Sequence, residues 1–227
     1  MDAFYRYPHT PHLIWLASGT PRDDKILSSE QAKLLLAGEI SVEEKLDGAN
    51  LGFSLSPTMQ LRIQNRGQFL TEPYGGQFLR LKSWLERNEG TVLSALSSDL
   101  ILFGEWCAAR HTLDYLSLPD WFLLFDVYDK NLQKFWSCSR RDLLARNFGL
   151  KTVPYVFRGK TNLYELKSIL ESRKSHYRDG LMEGLVIRRD KADWSDTRAK
   201  IVRADFVQTI DEHWRKRQIE WNRIQYN

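Results

Sequence analysis

The chain has 227 residues, of which 42% are hydrophobic, 27% charged and 12% aromatic, and its formal net charge at pH 7 is +4. This apolar content excludes a disordered or collagen-like chain, and the longest apolar runs, such as Trp121–Phe125, are far shorter than the roughly 20 residues that a membrane-spanning helix needs. No signal-peptide pattern opens the sequence and only two cysteines, Cys107 and Cys138, are present, so we expect a reduced, cytoplasmic protein that crosses no membrane.

The first third of the chain predicts one short helix followed by three strands. The helix is expected over about 29–37, with Ser28 as its N-cap and Gln31 completing a capping box. Gly38 follows as the expected stop. Apolar runs and alternations then predict strands at 40–45, 49–55 and 61–65.

The middle of the chain continues the mixture of helices and strands. Helices are predicted at about 74–88, 90–97 and 162–172, with a further helix capped by Ser139 and ending at Gly149. Strands are predicted at 100–103, 121–128, 152–157, 185–187 and 199–202. Because strands outnumber helices and follow one another in pairs, the predicted fold class is α+β with antiparallel sheets.

The last quarter predicts a C-terminal helix over about 205–227, within a single domain that spans residues 1–227. Its apolar residues recur at helical spacing: Val207, Ile210, Trp214, Trp221 and Ile224. Residues 173–227 also hold the whole positive excess, with 13 Lys and Arg against 9 Asp and Glu. We expect the helix mainly to dock on the core, with nucleic-acid contact as a secondary role, although a solvated helix of mixed charge fits the composition as well.

The clearest chemical signal is a lysine, Lys45, at the end of a predicted strand and directly before an Asp-Gly turn. Alone this signal is weak, because Asp-Gly is also an ordinary hairpin turn. Further acidic and basic residues follow it in order at the ends of apolar strands or within them: Glu105, Asp126, Glu183 and Lys200. The ordered set is therefore more specific than any one of its members.

This set resembles the lysine-dependent nucleotidyltransferase superfamily of DNA ligases, RNA ligases and mRNA-capping guanylyltransferases. Glu44 before the lysine and Asn50 after the turn are similar to the ATP-dependent RNA ligase branch, typified by the phage nick-sealing enzyme. The resemblance covers about residues 43–203. It implies an antiparallel-sheet nucleotidyltransferase domain (an ATP-grasp-like ligase adenylation domain), with ATP and Mg²⁺ or Mn²⁺ as cofactors. The implied partner is a nucleic acid with 5′-phosphate and 3′-hydroxyl ends, expected to be RNA.

The resemblance also implies a chemistry in which Lys45 becomes covalently adenylated. A protonated lysine is a poor nucleophile, so we expect nearby cations to lower the pKa of Lys45 from its isolated value near 10.4. The amine would attack the α-phosphorus of ATP, AMP would then move to a 5′-phosphate end, and a 3′-hydroxyl would displace it. Each step is a phosphoryl transfer that depends on positioning and charge stabilisation.

The resemblance assigns roles residue by residue. Lys45 would be the nucleophile, Lys200 the contact to the α-phosphate, and Asp47 a motif aspartate of the catalytic set. The nucleotide would be bound by Glu44 on the adenine edge, Asn50, Arg66 on phosphate, Glu105 on the ribose hydroxyls, Phe125 by stacking, and Arg188. Glu183 would support the metal, directly or through water.

Several of these residues also have purely structural interpretations. Phe125 is equally suited to core packing, Glu105 to an ordinary ion pair and Arg66 to a turn before Gly67. The last motif departs from the common Lys-x-Lys, and either Arg198 or Arg203 could stand in for the second lysine, with a guanidinium that binds phosphate but does not lose its proton.

The chain after Lys200 is predicted to form one helix and no appended OB-fold. Binding of the nucleic acid would then depend on the catalytic core, on the basic C-terminal helix or on a partner protein. Three alternatives to an RNA ligase stay open at this stage: a DNA ligase or capping enzyme, a nucleotidyltransferase that seals nothing, and a non-catalytic nucleic-acid-binding relative.

Overall fold

Two antiparallel sheets organise the computed structural model, which describes residues 4–21, 25–209 and 218–225. The smaller sheet contains β1 (Ile40–Lys45), β8 (Tyr155–Gly159), β9 (Gly184–Lys191) and β10 (Trp194–Val202), in the order β10-β9-β1-β8. The larger sheet contains β2 (Ala49–Leu55), β3 (Leu61–Gln64), β4 (Phe69–Leu70), β5 (Leu100–Trp106), β6 (Phe122–Asp129) and β7 (Lys134–Phe135), in the order β4-β3-β2-β5-β6-β7. The predicted α+β class with antiparallel sheets is confirmed.

The described residues form five α-helices: α1 (Ser29–Leu36), α2 (Leu81–Ala95), α3 (Cys138–Phe148), α4 (Leu163–Ser172) and α5 (Ala204–Thr209). The predicted capping box of α1 is present, since the Ser28 side chain accepts from the Gln31 backbone and the Gln31 side chain accepts from the Ser28 backbone. None of the helices of the described residues has the length and hydropathy of a membrane span.

The predicted pair of helices at 74–88 and 90–97 is wrong. A short 3-10 helix, Gly76–Phe78, is followed by the single helix α2, which runs through Gly90 without a break. An exposed glycine costs a helix only about 1 kcal/mol, whereas α2 buries Trp84 and Val92 on either side of it. Packing therefore overrides the local signal.

The capping residue predicted for α3 is also wrong by two positions. The Ser137 side chain accepts from the backbone N–H of Arg140, and Ser139 lies within the first turn. The predicted end at Gly149 is confirmed, since this glycine adopts φ +75° and donates its N–H to the carbonyls of the last turn.

The C-terminal segment does not form the single helix predicted over 205–227. Helix α5 covers Ala204–Thr209, and residues 218–225 lie extended along the loop between β5 and β6; 210–217 lie outside the described residues. Trp221 pairs with Ala109 and Ile224 with Leu118 through backbone bridges, and both side chains pack on the main core. Trp221 and Ile224 are three residues apart, and both side chains reach the core from this extended segment as they would from a helix. Their spacing alone therefore does not distinguish the two structures.

The main core packs α2 and α3 against one face of the larger sheet, and a second core packs α1 and α4 against the smaller sheet. The chain's first described residues cover the other face of the larger sheet, where Tyr7 is buried beside Phe103 and Phe125. The segment then bonds to β10, since Pro11 accepts from the Lys200 N–H and Leu13 donates to the Lys200 carbonyl. This arrangement brings the N-terminal segment to the gap between the sheets.

Candidate active site

A cavity of about 480 Å³ lies where the two sheets meet. Most of the residues predicted to form the site line it: Glu44, Lys45, Asn50, Arg66, Glu105, Phe125, Arg188 and Lys200. Of the remaining two, Glu183 contacts Lys45 and Asp47 lies just behind the wall. The structure thus brings together residues that are separated by up to about two thirds of the chain.

Strand register explains how β1 and its neighbours assemble the centre of the cavity. Lys45 at the end of β1 pairs with Gly184 at the start of β9, so Glu183 lies beside the lysine. Across the other sheet, Asn50 of β2 pairs with Glu105 of β5. Because register is fixed by the buried faces of both sheets, these four side chains keep their places relative to one another.

Gly48 lets the turn after Lys45 approach β5 closely. A Cβ at this position would lie 2.6 Å from the carbonyl oxygen of Trp106, closer than such atoms come. The close approach allows the Gly48 N–H to donate to Glu105 Oε1 at 3.1 Å. The Asp-Gly turn therefore positions Glu105 and is more than a chain reversal.

Lys45 Nζ lies 2.5 Å from Glu183 Oε1, and further carboxylates surround the pair. Burial lowers the pKa of Lys45, but the charges of Glu183, Glu105 and Asp47 outweigh it and the pKa is raised. This corrects the expectation that neighbouring cations lower the pKa of Lys45. The lysine is held as an ammonium by an acidic surrounding and must give up a proton before it can act as a nucleophile.

The same surrounding raises the pKa values of two carboxylates. Burial, against the opposing charge of Lys45, raises the pKa of Glu183 to about 8 and that of Glu105 to about 7. The charge of Asp47 adds to both shifts. Near neutral pH this cluster therefore takes up and releases protons easily, which suits a site that must move one from a lysine.

Asp47 anchors a loop in addition to contributing charge. Its Oδ2 accepts from the backbone N–H groups of Thr112 and Leu113, each at 2.7 Å, and its own N–H donates to the Tyr115 hydroxyl at 2.8 Å. Its Oδ1 lies 4.0 Å from His111 Nδ1. Asp47 thus fixes the loop that carries His111 into the cavity wall.

Glu44 lines the cavity and its side chain is buried; one carboxylate oxygen has hydrogen-bond partners and the other has none within the described residues. Its Oε2 accepts from the His176 backbone N–H at 2.9 Å and lies 2.9 Å from His176 Nδ1. Its Oε1 is buried and has no hydrogen-bond partner within the described part of the chain. A carboxylate oxygen held in this way can accept from an amino group of a bound base.

Other buried polar atoms at the cavity are also without a hydrogen-bond partner in the described residues: both amide atoms of Asn50, Arg66 Nε and Glu183 Oε2. Buried polar atoms are nearly always hydrogen-bonded in folded proteins. Donors on Asn50 and Arg66 together with acceptors on Glu44 and Glu183 form a set that a nucleotide, its phosphates and a hydrated cation would satisfy.

Arg188 lines the cavity, but its guanidinium group donates hydrogen bonds within a buried cluster of charged residues that joins the two sheets. Its Nε donates to Glu43 Oε2 and its Nη1 to Asp126 Oδ1, both at 2.7 Å. Arg198 Nη1 donates to Asp126 Oδ2 at 2.7 Å, and Arg141 pairs with Glu43 at 2.6 Å. We call these five residues the inter-sheet ionic cluster.

Arg198 and Arg203, the two arginines considered for the last motif, each pair with a carboxylate outside the cavity lining. Arg198 lies over the rings of Tyr7 and Phe135 in addition to its bond with Asp126, and Arg203 pairs with Asp205. Neither lines the cavity, whereas Lys200 does. Within the described residues, Lys200 is thus the cation that this strand gives to the site.

No three His, Cys, Asp or Glu side chains within residues 4–21, 25–209 and 218–225 converge on a point that could hold a metal ion. Magnesium commonly binds through one or two carboxylates, with phosphate oxygens and water completing its shell. Glu183, with its second oxygen buried and unbonded in the described structure, suits such a site.

Comparison with known proteins agrees with this geometry. A family model described as RNA ligase matches residues 38–202, which is most of the chain. The chain belongs to the RNA ligase family. Comparison with curated proteins gives no match.

Solved RNA ligases share the fold of this family member. A Naegleria gruberi RNA ligase with pyrophosphate superposes with a TM-score of 0.64 at 18% identity, covering 91% of this chain and 64% of that one. A mutant of that ligase with ATP and Mn gives 0.58 at 18% identity, over 78% and 53%. An archaeal ATP-dependent RNA ligase gives 0.55 at 19% identity, over 73% and 42%. The chain therefore spans only part of the length of these proteins, from 42% to 64%.

The cavity of this RNA ligase family member also contains residues that the sequence did not single out: Tyr7, His9, Thr10, Gln77 and His111. His111 Nε2 lies 2.7 Å from Gln77 Oε1. The first three come from the N-terminal segment, Gln77 from the short 3-10 helix Gly76–Phe78, and His111 from the loop between β5 and β6. No local pattern distinguishes such residues, because their place depends on how distant segments dock.

Proposed function

We propose that this protein is an ATP-dependent RNA ligase that acts through a covalent Lys45–AMP intermediate. The observation that carries the proposal is the placement of Lys45 at the end of β1, in contact with Glu183 and within one cavity shared with Glu105 and Lys200. A module that only binds nucleic acid has no need of a lysine so closely surrounded by carboxylates. The ATP and Mn in the related Naegleria structures support the same cofactors here, with Mg²⁺ or Mn²⁺ as the metal.

The nucleotide would lie with its base towards Glu44 and Phe125. Glu44 Oε1 would accept from the adenine amino group, and the half-buried ring of Phe125, held edge-on by Tyr7 at 5.2 Å, would stack on the base. Glu105 would bind the ribose hydroxyls. Asn50, Arg66 and Lys200 would hold phosphate oxygens by hydrogen bonds and charge.

The first step would transfer AMP to the lysine. Lys45 Nζ loses a proton, for which Glu183 Oε1 at 2.5 Å is the nearest acceptor, and its lone pair attacks the α-phosphorus of ATP. The bond from that phosphorus to the bridging oxygen breaks, and pyrophosphate leaves with the bonding electrons. A divalent cation, when bound near Glu183, would neutralise charge on the phosphate oxygens.

The second and third steps would use the same residues on a polynucleotide. An oxygen of the RNA 5′-phosphate attacks the phosphorus of Lys45–AMP and the nitrogen–phosphorus bond breaks. A 3′-hydroxyl then attacks the activated 5′-phosphate, loses its proton and releases AMP. Lys200 and Arg66 would neutralise the charge that collects on the phosphate oxygens in each step.

Sealing assays test this proposal. The protein with ATP and Mg²⁺ is incubated with end-labelled nicked RNA duplexes, single-stranded RNA and matched DNA, and joined products are separated on denaturing gels. We expect joining of at least one RNA substrate in preference to its DNA equivalent. If the protein takes up AMP and no RNA substrate is joined, the ligase assignment fails. A cytoplasmic location and a partner protein that strengthens RNA binding stay predictions.

A further inference from the structure

His176 contacts Glu44 but does not line the cavity between the two sheets, which we call the adenylation cavity. Two groups of the histidine meet one oxygen of that carboxylate. The His176 backbone N–H donates to Glu44 Oε2 at 2.9 Å, and Nδ1 of the ring lies 2.9 Å from the same oxygen. The Glu44 side chain is 0% exposed, so its orientation depends on these contacts and on packing, with no bulk water to hold it.

These contacts fix what Glu44 can offer to a ligand. An ionised carboxylate only accepts hydrogen bonds, and an imidazole donates from Nδ1 when that atom carries the ring proton. With Oε2 occupied, Oε1 is the oxygen that is buried without a hydrogen-bond partner in the described part of the chain. An amino group on a bound base is a donor that satisfies such an oxygen, whereas a C–H group in the same place leaves it unsatisfied.

The loop that carries His176 is anchored through the next residue. The Tyr177 carbonyl accepts from the backbone N–H groups of Leu116 and Ser117, at 2.9 and 3.3 Å. The Tyr177 ring packs against the main core. The His176 side chain, in contrast, is 33% exposed. A substitution at His176 therefore removes the contact to Glu44 and disturbs little of the core.

We propose that His176 is a positioning residue that makes the site selective for a base with an amino group. By donating to Glu44 Oε2 it holds Oε1 as the acceptor at the base site. This inference rests on the proposed function, in which Glu44 accepts from the adenine amino group. It assigns part of the choice of nucleotide to a residue that lies outside the cavity and acts only through Glu44.

Nucleotide binding tests the role of His176 without requiring any chemistry. Protein freed of bound nucleotide is titrated calorimetrically with AMP and with purine riboside 5′-monophosphate, which lacks only the amino group of adenine. We expect the wild type to bind AMP about 10-fold more tightly, the effect of one hydrogen bond to a charged group. His176→Ala should lose that preference through weaker AMP binding alone, with the Kd of the purine nucleotide unchanged. His176→Asn, whose amide can donate from nearly the same place as Nδ1, should keep the preference.

Lys174→Ala is the matched control, because that side chain belongs to the same loop, is 71% exposed and pairs with Asp179. This variant should bind both nucleotides as the wild type does. Three results would each overturn the role of His176: a wild type that binds the two nucleotides equally, a His176→Ala variant that keeps the full preference, or one that binds both nucleotides more weakly by the same factor. The last result would indicate a structural role alone.

Lysyl-AMP formation is measured separately on the same proteins. Its absence from a wild-type protein that prefers AMP would count against the proposed function and leave the role of His176 in base selection standing. Normal lysyl-AMP formation together with an unchanged preference in His176→Ala would do the reverse. The two failures are therefore distinguishable.

Discussion

Asp126 holds the inter-sheet ionic cluster together, and its replacement by asparagine is expected to destabilise the protein strongly. The side chains of Asp126 and Arg188 are 2% and 3% exposed. Asp126 accepts from Arg188 and from Arg198, each at 2.7 Å, and from the Tyr7 hydroxyl. Asp126→Asn keeps the shape of the side chain and removes its charge, which leaves Arg198 without the counter-charge of Asp126 and Arg188 with Glu43 alone.

The expected loss follows from the burial of these groups. Removal of one partner from a buried ion pair typically costs about 3–5 kcal/mol, because the remaining charge stays in a medium that solvates it poorly. For a domain of this size, 1 kcal/mol corresponds to about 2–4 °C in Tm. Asp126→Asn should therefore lower Tm by roughly 6–20 °C.

Urea unfolding followed by tryptophan fluorescence, together with thermal melts, measures this loss. Asp179→Asn is the matched control, because Asp179 pairs with Lys174 at 2.6 Å while the two side chains are 84% and 71% exposed. This control should leave the unfolding free energy unchanged within error.

The pH dependence gives an independent check. Burial opposes the charge of Asp126, but Arg188 and Arg198 outweigh it and lower the pKa of this carboxyl. Its stabilisation is therefore present above the unfolded pKa, and the difference between wild type and Asp126→Asn should shrink as the pH falls below about 4. A loss of less than about 1 kcal/mol at neutral pH would refute the assignment of a structural role to this cluster.

Two further predictions concern the adenylation cavity. The pKa of Glu105 is raised from its ordinary value of 4.5 to about 7, so the folded state binds a proton that the unfolded state releases at lower pH, and stability should fall as the pH rises from about 4.5 to 7. Glu105→Gln should flatten that decline in Tm measured across the range, and an unchanged slope would contradict the assignment. Gly48→Ala forces a Cβ to within 2.6 Å of the Trp106 carbonyl and should cost about 1–3 kcal/mol and slow lysyl-AMP formation. Gly38→Ala, where nothing lies within 4 Å of the added Cβ, should do neither, and equal effects of the two substitutions would refute the close-approach argument.

Most of the strands, although not the two-residue β4 and β7, and the meeting of most candidate site residues in one cavity could be predicted because their signals are local. Apolar runs mark the buried strands, and the motif residues stand at strand ends, where antiparallel register brings Lys45 beside Glu183 and Asn50 beside Glu105. The capping box at Ser28 is contained within four residues. In each case a short stretch of sequence carries the physical cause.

The features that were missed depend on contacts between distant segments. Arg188 and Arg198 look like phosphate-binding residues in a strand, and only the approach of Asp126 from the other sheet shows that they are paired. Residues 218–225 form backbone hydrogen bonds with residues about 110 positions earlier, such as the bond from the Arg110 N–H to the Glu220 carbonyl, and the helical spacing of their apolar residues gives no sign of these partners. Propensity and spacing do not encode such partners.

The proposed function depends on covalent attachment of AMP to Lys45. Protein freed of bound nucleotide is incubated with α-labelled ATP and Mg²⁺ and resolved on a denaturing gel, with Lys45→Ala beside it. Lys82→Ala serves as the control, because that side chain is 63% exposed and pairs with Glu72 outside the cavity. We expect label on the wild type and on Lys82→Ala, bound through an acid-labile phosphoramidate, and none on Lys45→Ala. An unlabelled wild-type protein, or label that persists on Lys45→Ala, would contradict it.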